Sequence, residues 1–206
     1  MKVDIQQIKT THRGFLHLEE VRLRHQRFDG SMTPPLMREH VRRPDSAAVV
    51  LYDPRTDSVV LIRQFRIGPY LAGAGGWQWE IVAGMADGQD QGLEQLARRE
   101  ALEEAGFALE QVRPMLRFFP SPGVSNESVQ LFLGVVDSRC PVDKGGGLDH
   151  EGEDIAVHVL PGDEVAAMVA TGQIDNATAL LGLMWLLARR EGLRREWLAQ
   201  GSPSLE

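Results

Sequence analysis

Residues 83–107 read AGMADGQDQGLEQLARREALEEAGF, and this stretch decides how the rest of the chain is interpreted. Apolar residues recur at helical spacing in its second half, and Gly106 stands where a left-handed residue would end a helix. On such a helix Glu100, Glu103 and Glu104 share one face, where like charges repel. They also lie near the helix C-terminus, which disfavours anions. The pattern therefore predicts a compensating cation, and clustered carboxylate oxygens suit Mg²⁺ or Mn²⁺.

A solvated acidic helix face, balanced by Arg98 and Arg99, would give the same three glutamates. The context favours a site instead, because the helix follows a predicted strand over residues 79–82, a turn at Gly84 and a loop. Other catalytic signatures are absent from the sequence. It contains no Walker loop and no zinc-ligand spacing, and Cys140 has no local nucleophile motif.

The flanking segments alternate between strand and helix patterns at irregular spacing. Strands are predicted at residues 47–52, 58–65, 115–119, 129–136 and 154–160, and helices at 163–171 and 176–190. Asp175 or Asn176 is expected to cap the last helix, and Gly192 to end it. These elements predict an α/β protein of the α+β sandwich type, with a mixed β-sheet between helices, rather than a parallel βαβ fold.

Composition and charge limit the classes of function. The 206 residues carry a net charge of −7, which argues against nonspecific nucleic-acid binding. No apolar run is long enough to cross a membrane, and the N-terminal residues lack the apolar centre of a signal peptide. The single cysteine is compatible with a reducing compartment, so we expect a cytoplasmic protein. An acidic protein that handles an anionic ligand needs local arginines, a metal, or both.

The opening segment resembles the Nudix box, in which a glycine, five residues, a glutamate and seven residues precede Arg-Glu-aliphatic-x-Glu-Glu-x-Gly-aliphatic. Gly84, the Arg99–Glu100 pair, the Glu103–Glu104 pair and Gly106 match it. Two departures stand out. The interval from Gly84 to Arg99 is one residue longer than the pattern, and Asp90 or Gln91 stands in place of the first glutamate.

The resemblance extends along the chain and is closest to the ADP-ribose pyrophosphatase branch and its GDP-mannose-hydrolysing relatives. Matching stretches are residues 12–15, 24–26, 38–39, 61–67, 80–84, 121–123, 151–154 and 174–176. The resemblance implies a small N-terminal β domain, residues 1–44, and a Nudix hydrolase domain, residues 45–206. It also implies a homodimer in which the N-terminal domain is swapped and helps to build the partner's substrate site.

By the same resemblance, Mg²⁺, with Mn²⁺ as a possible substitute, is held by the backbone carbonyl of Ala83 and by Glu100, Glu104 and Glu153. Glu151 is the candidate general base, and Glu103 is an alternate ligand and the next candidate base. Arg99 is assigned to the catalytic residues because it is expected to pair with Glu103, which lies four residues later on the helix. We expect residues 144–153, rich in glycine, to be mobile without ligand and to close over the substrate.

Four residues are predicted to bind the substrate: Arg38, Glu39, Arg66 and Glu80. Arg66 would hold phosphate oxygens with its guanidinium fork. Arg38 with Glu39 resembles a contact on the nucleobase side, and Glu80 a position near the ribose. For either arginine a surface salt bridge is the alternative. Trp77 and Trp79 could stack on a base, although at least one of them is expected in the core.

The function that the resemblance implies is hydrolysis of the pyrophosphate bond of ADP-ribose, which gives AMP and ribose 5-phosphate. GDP-mannose or another nucleoside diphosphate sugar is the alternative substrate, because the box reports pyrophosphate chemistry and not the base. A non-catalytic module that senses a nucleotide metabolite is the alternative of another class. The glutamates Glu100, Glu103, Glu104 and Glu151 argue against such a module, which has no need of them.

Overall fold

The computed structural model describes residues 1–148, 150 and 152–199. The chain divides into two compact units. The first comprises Met1–Asp45 and Phe118–Ser128, and the second comprises Ser46–Arg117 and the described residues from Val129 onward. The role of residues 1–44 as a separate functional domain stays a prediction. In the described part of the chain, none of the helices has the length and apolarity needed to span a membrane.

The first unit contains a three-stranded antiparallel sheet in the order β1-β2-β3. Its strands are β1 (Val3–Arg13), β2 (His17–His25) and β3 (Leu36–Arg42). Strand β1 lies at the edge, and all of its residues are exposed.

The second unit is built on a seven-stranded mixed sheet. Its strands are β4 (Ser46–Asp53), β5 (Ser58–Phe65), β6 (Trp77–Glu80), β7 (Val82–Met85), β8 (Gln111–Phe118), β9 (Val129–Val135) and β10 (Ala156–Pro161). The main order is β10-β5-β4-β9-β8, while β6 pairs with β5 and β7 with β4. Strand β4 is parallel to β9 and antiparallel to β5. The mixed sheet is as predicted.

Helices cover both faces of this sheet. They are α1 (Ile67–Leu71), α2 (Leu93–Ala105), α3 (Gly162–Ala170), α4 (Ala177–Leu187) and α5 (Arg190–Ala199). On one face Leu96 and Ala101 of α2 join the core that contains Val49. On the other face α4 approaches so closely that a Cβ at Gly182 would lie 2.7 Å from Val50. Strand β4 is therefore buried along its whole length, which explains its continuous apolar sequence.

The C-terminal helical region differs from the prediction. Asn176 caps α4 as expected, because its Oδ1 accepts a hydrogen bond of 2.9 Å from the Ala179 N–H. The predicted helix over residues 176–190 corresponds to α4, which ends at Leu187, and the expectation that Gly192 ends it is wrong, since Gly192 lies inside α5. The buried Trp197 and an ion pair between Arg194 and Asp57 anchor α5. These tertiary contacts outweigh the cost of about 1 kcal/mol for a glycine inside a helix.

Candidate active site

Helix α2 carries the three glutamates, and its sequence explains its position. Leu96, Ala97 and Ala101 are buried against the sheet, so the acidic residues lie beside the strands. Gly106 ends the helix with φ 77°, and its N–H donates to the Leu102 carbonyl at 2.9 Å. A Cβ at Gly106 would lie 2.3 Å from the carbonyl oxygen of Asp143. The predicted left-handed cap is therefore confirmed, and close approach of a second segment also requires glycine there.

The strand predicted over residues 79–82 is in fact two short strands. Strand β6 pairs with β5 up to Glu80, and β7 pairs with β4 from Val82 onward. Ile81 between them is buried and carries the chain from one partner strand to the other. This switch leaves Glu80 on the strand that pairs with β5 and places Ala83 beside Glu104 in the last turn of α2.

Glu104 is the most deeply buried acidic group of the helix, with 3% of its surface exposed. Its Oε2 accepts a hydrogen bond of 3.0 Å from the Ala83 N–H. Burial raises the pKa of Glu104 well above the ordinary value, and the nearby carboxylates of Glu100 and Glu153 raise it further. A buried carboxylate with two anionic neighbours calls for a proton or a cation.

Gly84 lets the strand and the helix approach each other. A Cβ at this position would lie 2.1 Å from Oε1 of Glu100. A larger residue at position 84 would displace the Glu100 carboxylate, although the φ of Gly84 is not in the left-handed region. The close approach places the Ala83–Gly84 backbone against the carboxylates of Glu100 and Glu104.

The four predicted metal ligands thus fall in one region: Ala83, Glu100, Glu104 and Glu153. Their side chains do not surround a single point. Within residues 1–148, 150 and 152–199, no three His, Cys, Asp or Glu side chains are arranged to hold a metal ion. The residues fit a divalent cation by charge and chemistry, since the carboxylates of Glu100 and Glu153 lie near the buried Glu104, which is hydrogen-bonded to the backbone of Ala83.

Arg99 links the remaining acidic groups. Its Nη1 lies 2.7 Å from Oε2 of Glu103, the predicted i to i+4 pair, and 3.1 Å from Oε1 of Glu100. Its Nη2 lies 3.1 Å from Oδ2 of Asp90. The hydrogen bond to Asp90 and the charges of Glu100 and Glu103 raise the pKa of Arg99. The sequence left Asp90 and Gln91 as alternatives for the first glutamate of the box, and the Asp90 carboxylate is the group that contacts the arginine.

The glycine-rich loop is tied to the end of α2. The N–H groups of Gly146 and Gly147 donate to the carbonyls of Glu104 and Glu103 at 2.9 and 3.1 Å. Oε2 of Glu153 accepts a hydrogen bond of 3.0 Å from the Leu148 N–H. The glycines thus satisfy helix-end carbonyls that would otherwise lack partners. Glu151, the predicted base, lies outside the described residues, and closure of the loop stays a prediction.

Arg66 directly follows β5, and its guanidinium is held by Glu80. Its Nε and Nη2 lie 3.0 and 2.8 Å from the two oxygens of Glu80, and Gln64 Nε2 donates to the same carboxylate at 3.1 Å. The hydrogen bond to Glu80 raises the pKa of Arg66, as do the charges of Glu104 and Glu153. The guanidinium is therefore within electrostatic reach of the carboxylate cluster.

Arg38 and Glu39 are exposed on β3 of the first unit. Arg38 is opposite Val21 and Glu39 is opposite Glu20, so the two side chains project from different faces of the small sheet. Arg38 Nη1 donates to the backbone carbonyl of Met37 at 2.8 Å. A joint contact of both residues with one ligand stays a prediction.

The NUDIX domain model matches residues 42–180, which is well over half of the chain. The chain belongs to the NUDIX family. The recognition made from the box residues is confirmed, and the segment from Gly84 to Phe107 is the Nudix box of this member.

Several relatives of this Nudix protein align over most of its length. The ADP-ribose pyrophosphatase of Escherichia coli strain K12 is 38% identical over 195 residues, 95% of this chain and 92% of that protein. The ADP-ribose pyrophosphatase of Haemophilus influenzae is 35% identical over 92% of this chain and 88% of its own length. The GDP-mannose pyrophosphatase of Enterobacter sp. strain 638 is 36% identical over 150 residues, 72% of this chain and 76% of that protein.

A solved structure described as an ADP compounds hydrolase superposes on the whole Nudix chain. The TM-score is 0.69 at 19% identity, and the match covers 98% of this chain and 97% of the other. At that identity the likeness shows the fold alone. The predicted fold class is confirmed.

The contact of Gln64 with Glu80 was not predicted from the sequence. Gln64 supports Glu80, but a glutamine in a buried strand carries no signal of such a role. The spacing of the box could have indicated that Asp90, and not Gln91, contacts Arg99. Of the two tryptophans, Trp77 is 50% exposed, while Trp79 is partly buried beneath Arg63 and against His158.

Proposed function

We propose that this protein hydrolyses the pyrophosphate bond of ADP-ribose to AMP and ribose 5-phosphate with a divalent cation. The observation that carries the proposal is the buried carboxylate of Glu104, which has Glu100 and Glu153 as anionic neighbours and Arg66 within electrostatic reach. A pyrophosphate with its cation supplies the positive charge that this arrangement calls for. The relatives that align over 92–95% of the chain and are named ADP-ribose pyrophosphatases support the choice of substrate.

We propose Mg²⁺ as the cation, with Mn²⁺ as a substitute, since hard oxygen ligands prefer these ions. Glu100, Glu104 and Glu153 would hold it together with the carbonyl of Ala83. A bound divalent cation offsets charge on the pyrophosphate and lowers the pKa of a bound water. Oε2 of Glu104 accepts the hydrogen bond from the Ala83 N–H, and its other oxygen would bind the cation.

The other side chains position the substrate and move a proton. Arg66 exchanges its bidentate contact with Glu80 for phosphate oxygens, a geometry that guanidinium groups favour. Glu151 accepts the proton of the attacking water, and the anchored glycines at 145–147 fix the point from which its loop extends. Glu103 is the alternative base. Its Oε2 lies 2.7 Å from Nη1 of Arg99.

GDP-mannose is the second candidate substrate, favoured by relatives named GDP-mannose pyrophosphatases that align over 72% of the chain. A panel of nucleoside diphosphate sugars, assayed with Mg²⁺ for released phosphomonoester, separates the candidates. We expect the highest kcat/KM with ADP-ribose. A higher value with GDP-mannose would transfer the proposal to that substrate. Binding of a nucleotide without hydrolysis of any panel member would favour the sensing module.

We also propose a homodimer in which the first unit contributes Arg38 and Glu39 to the partner's substrate site. The physical support is strand β1, an edge strand with three exposed apolar side chains: Val3, Ile5 and Ile8. Edge strands of this kind are usually covered by a partner. A cytoplasmic location, without nucleic-acid or membrane partners, stays a prediction that cell fractionation tests.

A further inference from the structure

An open groove of the second unit lies between helix α5 and the turn that precedes β5. Its volume is about 400 Å³, and it is lined by Asp57, Arg190, Glu191, Arg194, Arg195 and Leu198. Binding sites for small molecules usually have volumes of about 300–1,000 Å³. The groove is therefore large enough for a small organic ligand.

The groove is distant from the carboxylate cluster of the candidate active site. Asp57 directly precedes β5, whereas Arg66 directly follows it. An extended strand rises by about 3.3 Å per residue, so roughly 30 Å of strand separate the two residues. A ligand bound in the groove therefore lies outside the candidate active site.

Asp57 contacts two arginines of α5. Nε of Arg190 and Nη1 of Arg194 lie 3.3 and 3.5 Å from its two carboxylate oxygens. The Tyr52 hydroxyl donates to the same carboxylate at 2.7 Å. Hydrogen bonds between a guanidinium and a carboxylate are about 2.7–2.9 Å long when fully formed. Both arginine contacts are longer, so this one carboxylate does not saturate the two guanidinium groups.

Two arginines of α5 have N–H groups that no described residue accepts. Arg194 donates from Nε to the Pro54 carbonyl at 3.0 Å and from Nη1 to Asp57, which leaves Nη2 without an acceptor in the described part of the chain. Arg195 is exposed, and its side chain forms no ion pair or hydrogen bond with residues 1–148, 150 and 152–199. Since a guanidinium has five N–H donors, the pair offers several of them to a ligand.

The charge of the groove is positive, although the protein is acidic. Its lining has three arginines and two carboxylates, those of Asp57 and Glu191, which gives a local charge of three minus two, or +1. The whole chain has a net charge of −7. A concave surface of one sign concentrates ligands of the opposite sign. A phosphomonoester is close to a dianion at neutral pH and has three acceptor oxygens, which guanidinium forks match in geometry.

We propose that this groove binds a small organic phosphomonoester, whose phosphate contacts Arg194 and Arg195 and whose organic part lies against Leu198. The Leu198 side chain lines the groove and is 55% exposed, so it offers apolar contact that a bare phosphate ion would not use. AMP and ribose 5-phosphate, the products of the proposed function, belong to this class of ligand. The site itself does not depend on that reaction, because binding can be measured without metal or turnover.

The first experiment measures binding of AMP to the full-length protein in EDTA by isothermal titration calorimetry. Arg195→Gln should weaken binding by about 10–100-fold, because hydrogen bonds to a charged group are lost. Arg189→Gln is the matched control, since Arg189 directly precedes α5 and lies over the ring of Trp185 instead of lining the groove. It should leave the Kd unchanged.

AMP bound in the catalytic site is recognised by a different variant. Arg66→Lys should leave the Kd for AMP in the groove unchanged, because Arg66 is at the other end of β5. Binding that is lost in Arg66→Lys and retained in Arg195→Gln would place AMP in the catalytic site and overturn the proposal. A wild-type protein that does not bind AMP would overturn it as well.

Asp57→Asn should change AMP binding in the opposite direction. Asparagine can still accept from Tyr52 and tolerates the left-handed backbone of residue 57, whose φ is 57°. The variant lacks the negative charge that competes with a phosphate for the arginines, so AMP should bind about two- to fivefold more tightly. Its Tm without ligand should fall, because two guanidinium groups lose their shared anion. Weaker AMP binding to the folded variant would contradict direct contact between the phosphate and Arg194.

Two further probes test the class of ligand. Adenosine, which lacks the phosphate, should not bind, and a Kd for adenosine equal to that for AMP would overturn the proposal. Inorganic phosphate should compete with AMP, but with a higher Kd, because it cannot contact Leu198. Vesicles of phosphatidylglycerol test a lipid headgroup as the source of the phosphate. Sedimentation of the protein with these vesicles, lost in Arg195→Gln and without any binding of AMP, would overturn the small-molecule ligand.

Discussion

Oε2 of Glu104 accepts a hydrogen bond of 3.0 Å from the backbone N–H of Ala83. This bond ties the last turn of α2 to the start of β7 through a side chain that is 3% exposed. The backbone of Ala83, whose carbonyl is predicted to bind the cation, is thus held beside the helix before a cation binds. Preorganisation of this kind removes part of the cost of gathering ligands.

Glu104→Gln should abolish most of the activity without unfolding the protein. The amide oxygen of glutamine can still accept from Ala83, but the charge offered to the cation is lost. Since a metal supplies several kcal/mol to the transition state, we expect kcat to fall by about 10²–10⁴-fold in saturating Mg²⁺. Glu94→Gln, on the exposed side of the same helix, is the control and should retain full activity. Near wild-type turnover of Glu104→Gln would show that the metal assignment is wrong.

The same variant should be more stable than the wild type when no metal is present. The native pKa of Glu104 is raised above its ordinary value of 4.5 by burial. Its carboxyl group therefore favours the folded state fully below pH 4.5, and this contribution is lost as the pH rises through the raised native pKa. In EDTA, the gain in Tm from Glu104→Gln should grow as the pH rises from 4.5 toward neutrality. A Tm difference independent of pH would contradict the raised pKa.

The Arg66–Glu80 pair predicts a selective effect on substrate binding. Arg66→Lys keeps the charge but loses the two-point contact, which is worth about 1.5–3 kcal/mol for hydrogen bonds to charged groups. We expect KM to rise by about 10–100-fold, with a smaller change in kcat. Arg63→Lys is the matched control, because Arg63 lies on β5, three residues before Arg66, but contacts the ring of Trp79. Equal effects of both variants on KM would argue against phosphate binding by Arg66.

The helix and the central strands could be predicted from local patterns, for separate physical reasons. Strand β4 is buried on both faces, so its apolar run is continuous and easy to recognise. In α2 the apolar spacing and Gly106 agree with each other. The glutamates stood out because they break two local rules at once, and a conflict of that kind is expected at functional sites.

Other features depend on contacts that no local pattern contains. The break at Ile81 arises because β6 and β7 pair with different strands. Gly192 looked like a helix end, yet the anchoring of α5 by Trp197 overrides it. The three glycines at 145–147 suggested freedom, whereas their φ values of 64°, 108° and 82° are used to bind the end of α2. In each case the deciding partner is distant in sequence.

The loop that carries Glu151 and Glu153 can be tested by a metal titration. Glu153→Gln should raise the Mg²⁺ concentration needed for half-maximal rate. The Glu153 carboxylate lies close enough to Glu104 for its charge to raise the pKa of that residue. Glu151→Gln should instead lower kcat by about 10²–10⁴-fold with little change in that concentration, as expected for a general base. Glu164→Gln, an exposed acid in the first turn of α3, serves as the control. Mild and equal effects of the two loop variants would direct the search for the base to Glu103.

The apolar side chains of β1 predict how the protein assembles. Ile5 is opposite Leu23 and Ile8 is opposite Val21, and the register shift after Ile5 places both isoleucines on one face although they are three residues apart. Their side chains are 57% and 55% exposed, so a free chain would leave this edge strand uncovered.

We therefore expect a homodimer of twice 22.9 kDa at micromolar concentration, measured by sedimentation or light scattering. Ile8→Lys should shift the equilibrium toward the monomer, since burying an unpaired ammonium at an interface is unfavourable. Gln7→Lys adds the same charge on the other face of the strand, opposite Arg22, and should leave the dimer intact. If the first unit completes the substrate site of its partner, Ile8→Lys should also lower kcat/KM at protein concentrations where the dimer dissociates. A wild-type protein that sediments only as a 22.9 kDa species would refute the dimer.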